Sequence, residues 1–546
     1  MFARIKKSGR NEYLQLVENR REGKKISQRV VATIGRMDEL QAGGSIETII
    51  RSLSRFSEKI VMILSARDNP DVRATAKKIG PTIIFERLWQ EMGIGEIIRN
   101  LLKDRKFEFN VERAIFLTVL HRLFVSGSDR YCDKWRRDYR IDGVESLSLH
   151  HLYRAMAFLG EETVDQKDRT PFSPRCTKDL IEEDLFQSRQ DLFSGLDCVF
   201  FDTTSIYFEG EGGETIGELG HSKDHRPDLL QMMVGVILDN HGRPVCCEMW
   251  PGNTTDVKTL VPVIKRLQSR FAIGRVCVVS DRGMISAETM TYLEAEKIFY
   301  ILGARMRRSK EVKEDVLSRA GRYREVHPEG ISTKDPSFLK VKEVIVDGNR
   351  YIVCLNEKQA RKDAADRQAI IDSLQEKLKS NPKSLVGNKG YRKYLKLEKD
   401  TVSVNQEKIE AEARYDGKWV LKTNTTLTTE QVALKYKELW QVEQVFRDMK
   451  STLDTRPIFH QRDEAIRGHV FCSFLALFLR KELDSRLERA GHCLEWSNIK
   501  QDLEALQEVT ITQQGKTLAV RTECAGTCGK IFQAVGVAIP STIREL

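Results

Sequence analysis

The sequence predicts an α/β protein: a mixed-sheet domain interrupted by a mostly β insertion, preceded by a small β region and a helical domain. Three observations lead there. Strand-like and helix-like runs alternate between residues 191 and 310, further strand candidates break that order between 311 and 425, and apolar residues recur at helical spacing between 77 and 190. A chain of 546 residues is too long for one ordinary core, so several domains are expected.

The first 36 residues hold ten Lys or Arg against three acids. FARIKK, EYLQLVEN and ISQRVVATIG are separated by the turn signals SGRN at 8–11 and REGK at 21–24, which reads as a small basic antiparallel sheet within 1–76. That sheet either touches DNA or is the solvated face of an accessory domain. From 77 to 190 a helical DNA-binding domain is expected. Ile83, Ile84, Leu88 and Met92 share a helical face, and Asn110 caps a helix running to about Val125. RYCDKWRRDYR at 130–140 interleaves aromatic and basic residues. Arg130, Lys134, Trp135, Arg136, Arg137 and Arg140 suit DNA phosphates and exposed bases, unless the helix turns its Tyr and Trp inward.

Between 191 and 310, CVFFDTTSIYF, LLQMMVGVILD and RPVCCEMW read as three successive strands. The helix TLVPVIKRLQSRF follows, then strand RVCVVSD, helix SAETMTYLEAEK and strand FYILGAR. The region 311–425 reads as an insertion: strands LKVKEVIVD, RYIVCLN and KWVLKTN, with a charged helix near 357–380. Within it, 377–396 carries seven Lys or Arg, no acid and two tyrosines, Tyr391 and Tyr394, and is either a solvated loop or a grip on a DNA backbone. Residues 426–490 return to the mixed-sheet domain with a helix at 436–450, and 491–546 forms a C-terminal region of mixed character.

Composition excludes several classes. Lys plus Arg number 89 against 79 Asp plus Glu, a net charge of +10 that suits a polyanionic partner. No apolar stretch is long enough to span a membrane, and MFARIKKSGR lacks the apolar run of a signal peptide, so a cytoplasmic, nucleoid-associated protein is expected. Eleven scattered cysteines do not form a disulfide framework. Cys524 and Cys528 lack a second pair at zinc spacing and read as ordinary thiols.

Two aspartates interrupt or end apolar runs. Asp202 follows 198–201 and precedes Thr203 and Thr204; Asp281 closes the run 276–280 before Arg282 and Gly283. A carboxylate in a strand fit for burial costs several kcal/mol unless it is paired or binds metal, although either residue alone also suits a turn. In YKELWQVEQVFRDMK at 436–450, Leu439, Val442, Phe446 and Met449 line one helical stripe. Tyr436, Trp440, Glu443, Arg447 and Lys450 line a second beside it, and Lys437, Glu438, Gln441, Gln444 and Asp448 the solvent side. Glu443 and Arg447 at this spacing also make an ordinary surface pair.

FDTTS at 201–205, SDRGM at 280–284 and the 436–450 helix together resemble the three catalytic blocks of RNase H-like DDE transposases of bacterial insertion sequences. The signature Y-x2-R-x3-E-x6-K of one such group is matched at Tyr436, Glu443 and Lys450, with Leu439 in place of its arginine. GHSKDHRPDLLQ at 220–231, WPGNTTD at 250–256 and DGKWVLKTNT at 416–425 resemble further blocks of that group. The resemblance implies an RNase H-like catalytic domain in which Asp202, Asp281 and Glu443 hold two Mg²⁺ ions, with Mn²⁺ able to substitute. It implies cleavage at insertion-sequence ends, transfer of the 3′-OH into target DNA, and a homodimer on paired ends of double-stranded DNA. Tyr436 and Lys450 are then expected on end phosphates, with Arg447 a substitute for the missing arginine. Trp440 either stacks on an unpaired base or packs in the core, and Asn253 and Asp256 support the site. A nuclease of the same fold without strand transfer, or a catalytically dead DNA-binding relative, are the competing expectations.

Overall fold

A computed structural model describes residues 2–22, 25–42, 45–46, 73–170, 173–189, 198–271, 276–327, 339–380, 389–397, 402–513 and 516–546. The chain divides into two compact units: Met1–Ala76 with Glu508–Arg521 and Ser541–Leu546, and Lys77–Gln507 with Thr522–Pro540.

In the first unit, strands Phe2–Ser8, Asn11–Glu22 and Lys25–Arg36 form an antiparallel three-stranded sheet in that order. The SGRN turn joins the first two at the Ser8–Asn11 pair. The REGK turn falls partly outside the described residues. A second sheet takes the order Ile543–Glu545, Lys516–Arg521, Gln507–Gln513, Arg73–Lys78. The C-terminal strands Lys516–Arg521 and Ile543–Glu545 thus belong with the N-terminal residues.

The second unit is built on a nine-stranded mixed sheet. Its order is Arg324–Glu325, Leu339–Val346, Asn349–Asn356, Lys418–Thr423, Phe299–Gly303, Cys277–Ser280, Cys198–Tyr207, Gln231–Leu238, Pro244–Pro251. Only the pairs flanking Cys277–Ser280 are parallel. The inserted strands do not form a module of their own. Lys418–Thr423 pairs with Phe299–Gly303 and carries the sheet on without interruption, so the edge of the mixed sheet is covered rather than exposed. The charged helix Glu357–Ser380 and the hairpin Leu395–Leu397 with Val402–Val404 enclose a small separate core around Leu374, Tyr394 and Leu395.

Side chains alternate across each strand and sort into two layers. Phe200, Ile206, Met232, Val234 and Val236 face Val442, Val445 and Phe446 of the helix Trp440–Arg447. Val199, Phe201, Met233 and Ile237 face Leu260, Val263, Ile264 and Leu267 of the helix Leu260–Phe271. Each such side chain contributes about 1.5–3 kcal/mol on burial.

The helix Asp463–Arg489 is buried from Ala465 through Leu479 and packs on both Val111–Phe124 and Leu149–Gly160. Two glycines let the backbones meet: a Cβ on Gly468 would stand 1.9 Å from the Met156 carbonyl oxygen, and one on Gly160 2.0 Å from that of Glu464. Asn110 caps the helix Val111–Phe124 as its sequence predicts, accepting from the Arg113 N–H at 3.1 Å. The helices between 77 and 190 share one core with residues beyond 430.

Candidate active site

Parallel pairing positions the two aspartates. Phe201 pairs with Ser280 across neighbouring strands, so the next residue on each, Asp202 and Asp281, lie side by side where the shorter strand ends. Asp281 then starts the short turn of helix Arg282–Met284. Asp202 shares the sheet face of Phe200 and Ile206, the face covered by the Glu443 helix. It is half-buried, and its Oδ1 accepts the Thr203 N–H at 2.7 Å. Burial pushes its carboxyl up to about 6; Asp281 and Asp256 push the same way, and the Lys223 ammonium opposes them. Tyr436 donates its hydroxyl to Asp281 Oδ1 at 3.0 Å, and burial beside that carboxylate holds the phenol well above its ordinary range. Gly303 makes room for this contact, since a Cβ there would stand 2.5 Å from the Tyr436 oxygen.

A third acid stands close by. Asp256 Oδ1 accepts the Thr203 hydroxyl at 2.6 Å, and its Oδ2 lies 3.3 Å from the Lys223 ammonium. Asn253 makes no side-chain bond here among the described residues. Neither Lys223 nor Thr203 carries a signal of its own in the sequence; the resemblance of the block 220–231 is what could have pointed to Lys223. Asp224, the next residue, takes Lys450 at 2.8 Å and Arg456 at 2.5 Å on one oxygen. Lys450 is thus mostly buried in an ion pair, and burial lowers its pKa.

The 436–450 segment is not one continuous helix. Thr429–Lys437 ends, bonds tighten to the i→i+3 pattern at Leu439, Gln441 and Val442, and Trp440–Arg447 begins. A wider turn, Asp448–Thr452, follows. The break rotates the faces. Tyr436 points to Asp281, whereas Trp440, Glu443 and Arg447 are exposed. Asp448, expected on the solvent side, is buried and 3.3 Å from Arg480. Leu439 is buried at 6 % exposure, as its apolar stripe predicts, and Trp440 at 58 % is not core. Among the described residues no hydrogen bond or ion pair joins Glu443 to either aspartate. Its helix rests on the strand of Asp202.

The aromatic–basic run 130–140 needs a larger correction. Trp135 is 4 % exposed and lies 3.9 Å, ring to ring, from the buried Tyr139. Tyr139 in turn bonds Glu504 and Lys78. Arg136 donates to the Val144 and Leu147 carbonyls and pairs with Asp133. The Arg140 N–H donates to the Lys78 carbonyl. These aromatics complete a core instead of presenting a stacking platform; Arg130, Tyr131, Lys134 and Arg137 remain exposed. In 377–396, Lys377 lies over the Tyr391 ring, and 381–388 falls outside the described residues.

Among the described residues, the group of three potential metal ligands that converges within 4.8 Å is Asp129, His460 and His469. It does not suit a metal. Arg122 donates to His469 Nδ1 at 2.9 Å and stands 4.0 Å from Asp129, while His469 Nε2 lies 3.1 Å from the Thr455 carbonyl. A cation of the protein already fills the space. By contrast, the adjacent Asp202 and Asp281 offer only hard oxygen donors, which is the donor chemistry that a divalent ion takes. Cys524 and Cys528 are free thiols. No helix among the described residues is long and apolar enough to cross a membrane.

Comparison with known proteins gives the family of the chain. The family model described as transposase DDE domain matches residues 194–479, just over half of the chain. The model for the N-terminal domain of IS1634 family transposases matches residues 3–68. No curated protein matches the chain. Among solved structures, a piggyBac transposase in a synaptic complex with hairpin DNA is similar at 10 % identity and a TM-score of 0.39, over 78 % of this chain and 79 % of that one. The matched region contains Asp202, Asp281 and Glu443, and the chain belongs to the DDE transposase family: it is a DNA transposase, an enzyme that cleaves DNA and transfers the cut strand.

Proposed function

We propose that Asp202, Asp281 and Glu443 are the acids of an RNase H-like active site that cuts insertion-sequence ends and joins the freed 3′-OH to target DNA. The observation that carries this reading is the pair of adjacent strand-end aspartates, one of them pushed up to about 6 by burial beside other carboxylates. Such a pair is costly for a fold to keep unless a cation is to be held there. Glu443 sits on the next element over, exposed and without another ion-pair partner among the described residues.

Mg²⁺, or Mn²⁺ in its place, supplies Lewis acidity toward the attacking and leaving oxygens of an in-line phosphoryl transfer when bound by these acids. The chain's own residues do the rest. Tyr436 fixes the orientation of Asp281 through its hydroxyl. The Thr203 N–H holds one oxygen of Asp202 and leaves the other free. Arg447 and Trp440, both exposed on the Glu443 helix, face DNA; Arg130, Lys134 and Arg137 are further candidates for phosphates. Lys450, committed to Asp224, braces the segment after the helix in place of a direct phosphate contact. A homodimer holding two ends, working on DNA in the nucleoid, completes the proposal.

The test uses full-length protein and a labelled duplex of one element end with flanking DNA. Nicking to a 3′-OH and joined products are expected in Mg²⁺ or Mn²⁺, and none in EDTA. Undiminished cleavage in EDTA would remove the metal-holding role of the three acids.

A further inference from the structure

We propose that Lys223 is a catalytic residue that contacts the reacting phosphodiester, aimed by Asp256 as its positioning residue. This rests on reading Asp202 and Asp281 as the centre of phosphoryl transfer.

Lys223 stands at that centre without belonging to any motif strand. Its ammonium donates to the Thr203 carbonyl at 2.7 Å and to the Thr203 hydroxyl at 3.0 Å. Thr203 is the residue after Asp202, so these bonds place the ammonium beside the strand position of that carboxylate. Asp256 approaches the same ammonium at 3.3 Å and also accepts the Thr203 hydroxyl, so ammonium, hydroxyl and carboxylate lock one another. A lysine carries three N–H donors, and Thr203 takes two. The third faces Asp256 Oδ2 at 3.3 Å on a side chain left 27 % exposed, so a substrate oxygen reaches the ammonium by sharing that longer ion-pair contact.

The backbone around it is held as if aim mattered. The Lys223 N–H donates to Ser205 on the catalytic strand at 2.8 Å, and the Arg226 N–H to Ser222 at 3.1 Å. Asp224 ties the same turn to Lys450 and Arg456, in the segment that follows the Glu443 helix. One short loop therefore links the strand of Asp202 to the far end of the helix element.

The chemistry asks for such a cation. A phosphodiester entering beside Asp202, Asp281 and Asp256 meets three carboxylates. In the transfer, charge spreads over the phosphorus-bound oxygens that are neither attacking nor leaving. A preorganised ammonium donating to one of them stabilises that charge, and it keeps its proton throughout. A flexible surface lysine would not do this, because its position would have to be fixed during the reaction. Asp256 and Thr203 fix it beforehand.

The experiment compares wild type, Lys223→Gln, Lys223→Arg and Asp256→Asn in the full chain. Single-turnover cleavage of a labelled end duplex is followed at saturating DNA and Mg²⁺, and Mn²⁺ binding is measured separately by the signal of the free ion. Glutamine keeps donors for Thr203 and removes the charge. Cleavage by Lys223→Gln is expected to fall on the order of 10²-fold, as for loss of one transition-state donor, with Mn²⁺ affinity not weakened. Lys223→Arg should recover most of the rate, and Asp256→Asn should fall between. Cleavage by Lys223→Gln at the wild-type rate would overturn the proposal. So would a rate loss matched by an equal loss of Mn²⁺ affinity, since Lys223 would then act only by arranging the acids. A wild-type protein that does not cut would instead count against the reading of the site itself.

Discussion

Replacing Asp202 by asparagine should make the metal-free protein more stable, even though it destroys the proposed site. In the folded chain the Asp202 carboxyl is raised from 3.8 to about 6 by burial and by its acidic neighbours. A rise of that size corresponds to about 3 kcal/mol of preference for the neutral form, at about 1.4 kcal/mol for each tenfold change in proton affinity. Because the residue is only half-buried, screening reduces this to roughly 1–2 kcal/mol. The sign follows from the folded value lying above the unfolded one. The group's contribution is fully present below pH 3.8 and is lost as pH rises through about 6, because the folded state holds the proton longer. Asp202→Asn should therefore melt with wild type near pH 4 and roughly 1–2 °C above it at pH 8, for an unfolding entropy of about 1 kcal/mol per kelvin in a unit of this size. Scanning calorimetry in EDTA reads this directly. Adding Mg²⁺ should reverse the order at pH 8, since an ion at a hundred times its Kd stabilises the form that binds it by about 2.7 kcal/mol. A variant less stable than wild type in EDTA at pH 8 would show that Asp202 ionises without cost, and the argument for a cation from burial would fail.

Two tryptophans should behave oppositely. Trp135→Ala removes a core ring packed on Tyr139 and should lower unfolding free energy by about 3–5 kcal/mol in a denaturant titration; a loss smaller than about 1 kcal/mol would contradict its burial. Trp440→Ala should change stability by less than about 0.5 kcal/mol, because the ring is exposed. In single-turnover kinetics it should slow only a step that needs an unstacked base, by an amount on the order of 1–3 kcal/mol, and an unchanged rate at every step would remove the stacking role.

What can be read from the residues depends on how local the cause is. The strands Cys198–Tyr207, Gln231–Leu238 and Pro244–Pro251 each carry an apolar run, and their pattern is written within each short segment. Asp202 and Asp281 stand out because each interrupts or ends such a run. The fate of the insertion does not, since the pairing of Thr423 with Ile301 joins positions far apart in the chain, and nothing local marks an edge strand's partner. Trp135 misleads for a related reason: its helix is short, and the neighbours that bury it, Tyr139 and His121, lie on other turns of chain. The buried charges Arg266 and Arg270, paired with Asp179 and Glu248, look on paper like surface residues of an amphipathic helix. Only the packing of three elements makes them interior. The turn at 438–439 parts Tyr436 from the face of Trp440, Glu443 and Arg447, and Asp448 is buried where a wider turn begins.

Three acids from separate elements are proposed to act as one centre, and variants that neutralise them singly show whether each belongs to it. Asp202→Asn, Asp281→Asn and Glu443→Gln preserve shape and remove one charge each. Binding of a labelled element end by gel shift should stay within a few-fold of wild type for all three, while cleavage in Mg²⁺ should fall below detection for each. Glu443→Gln is the sharpest of them, because no bond joins Glu443 to the aspartates among the described residues. A Glu443→Gln protein that cuts at close to the wild-type rate, with Asp202→Asn and Asp281→Asn inactive, would take Glu443 out of the centre and contradict the account.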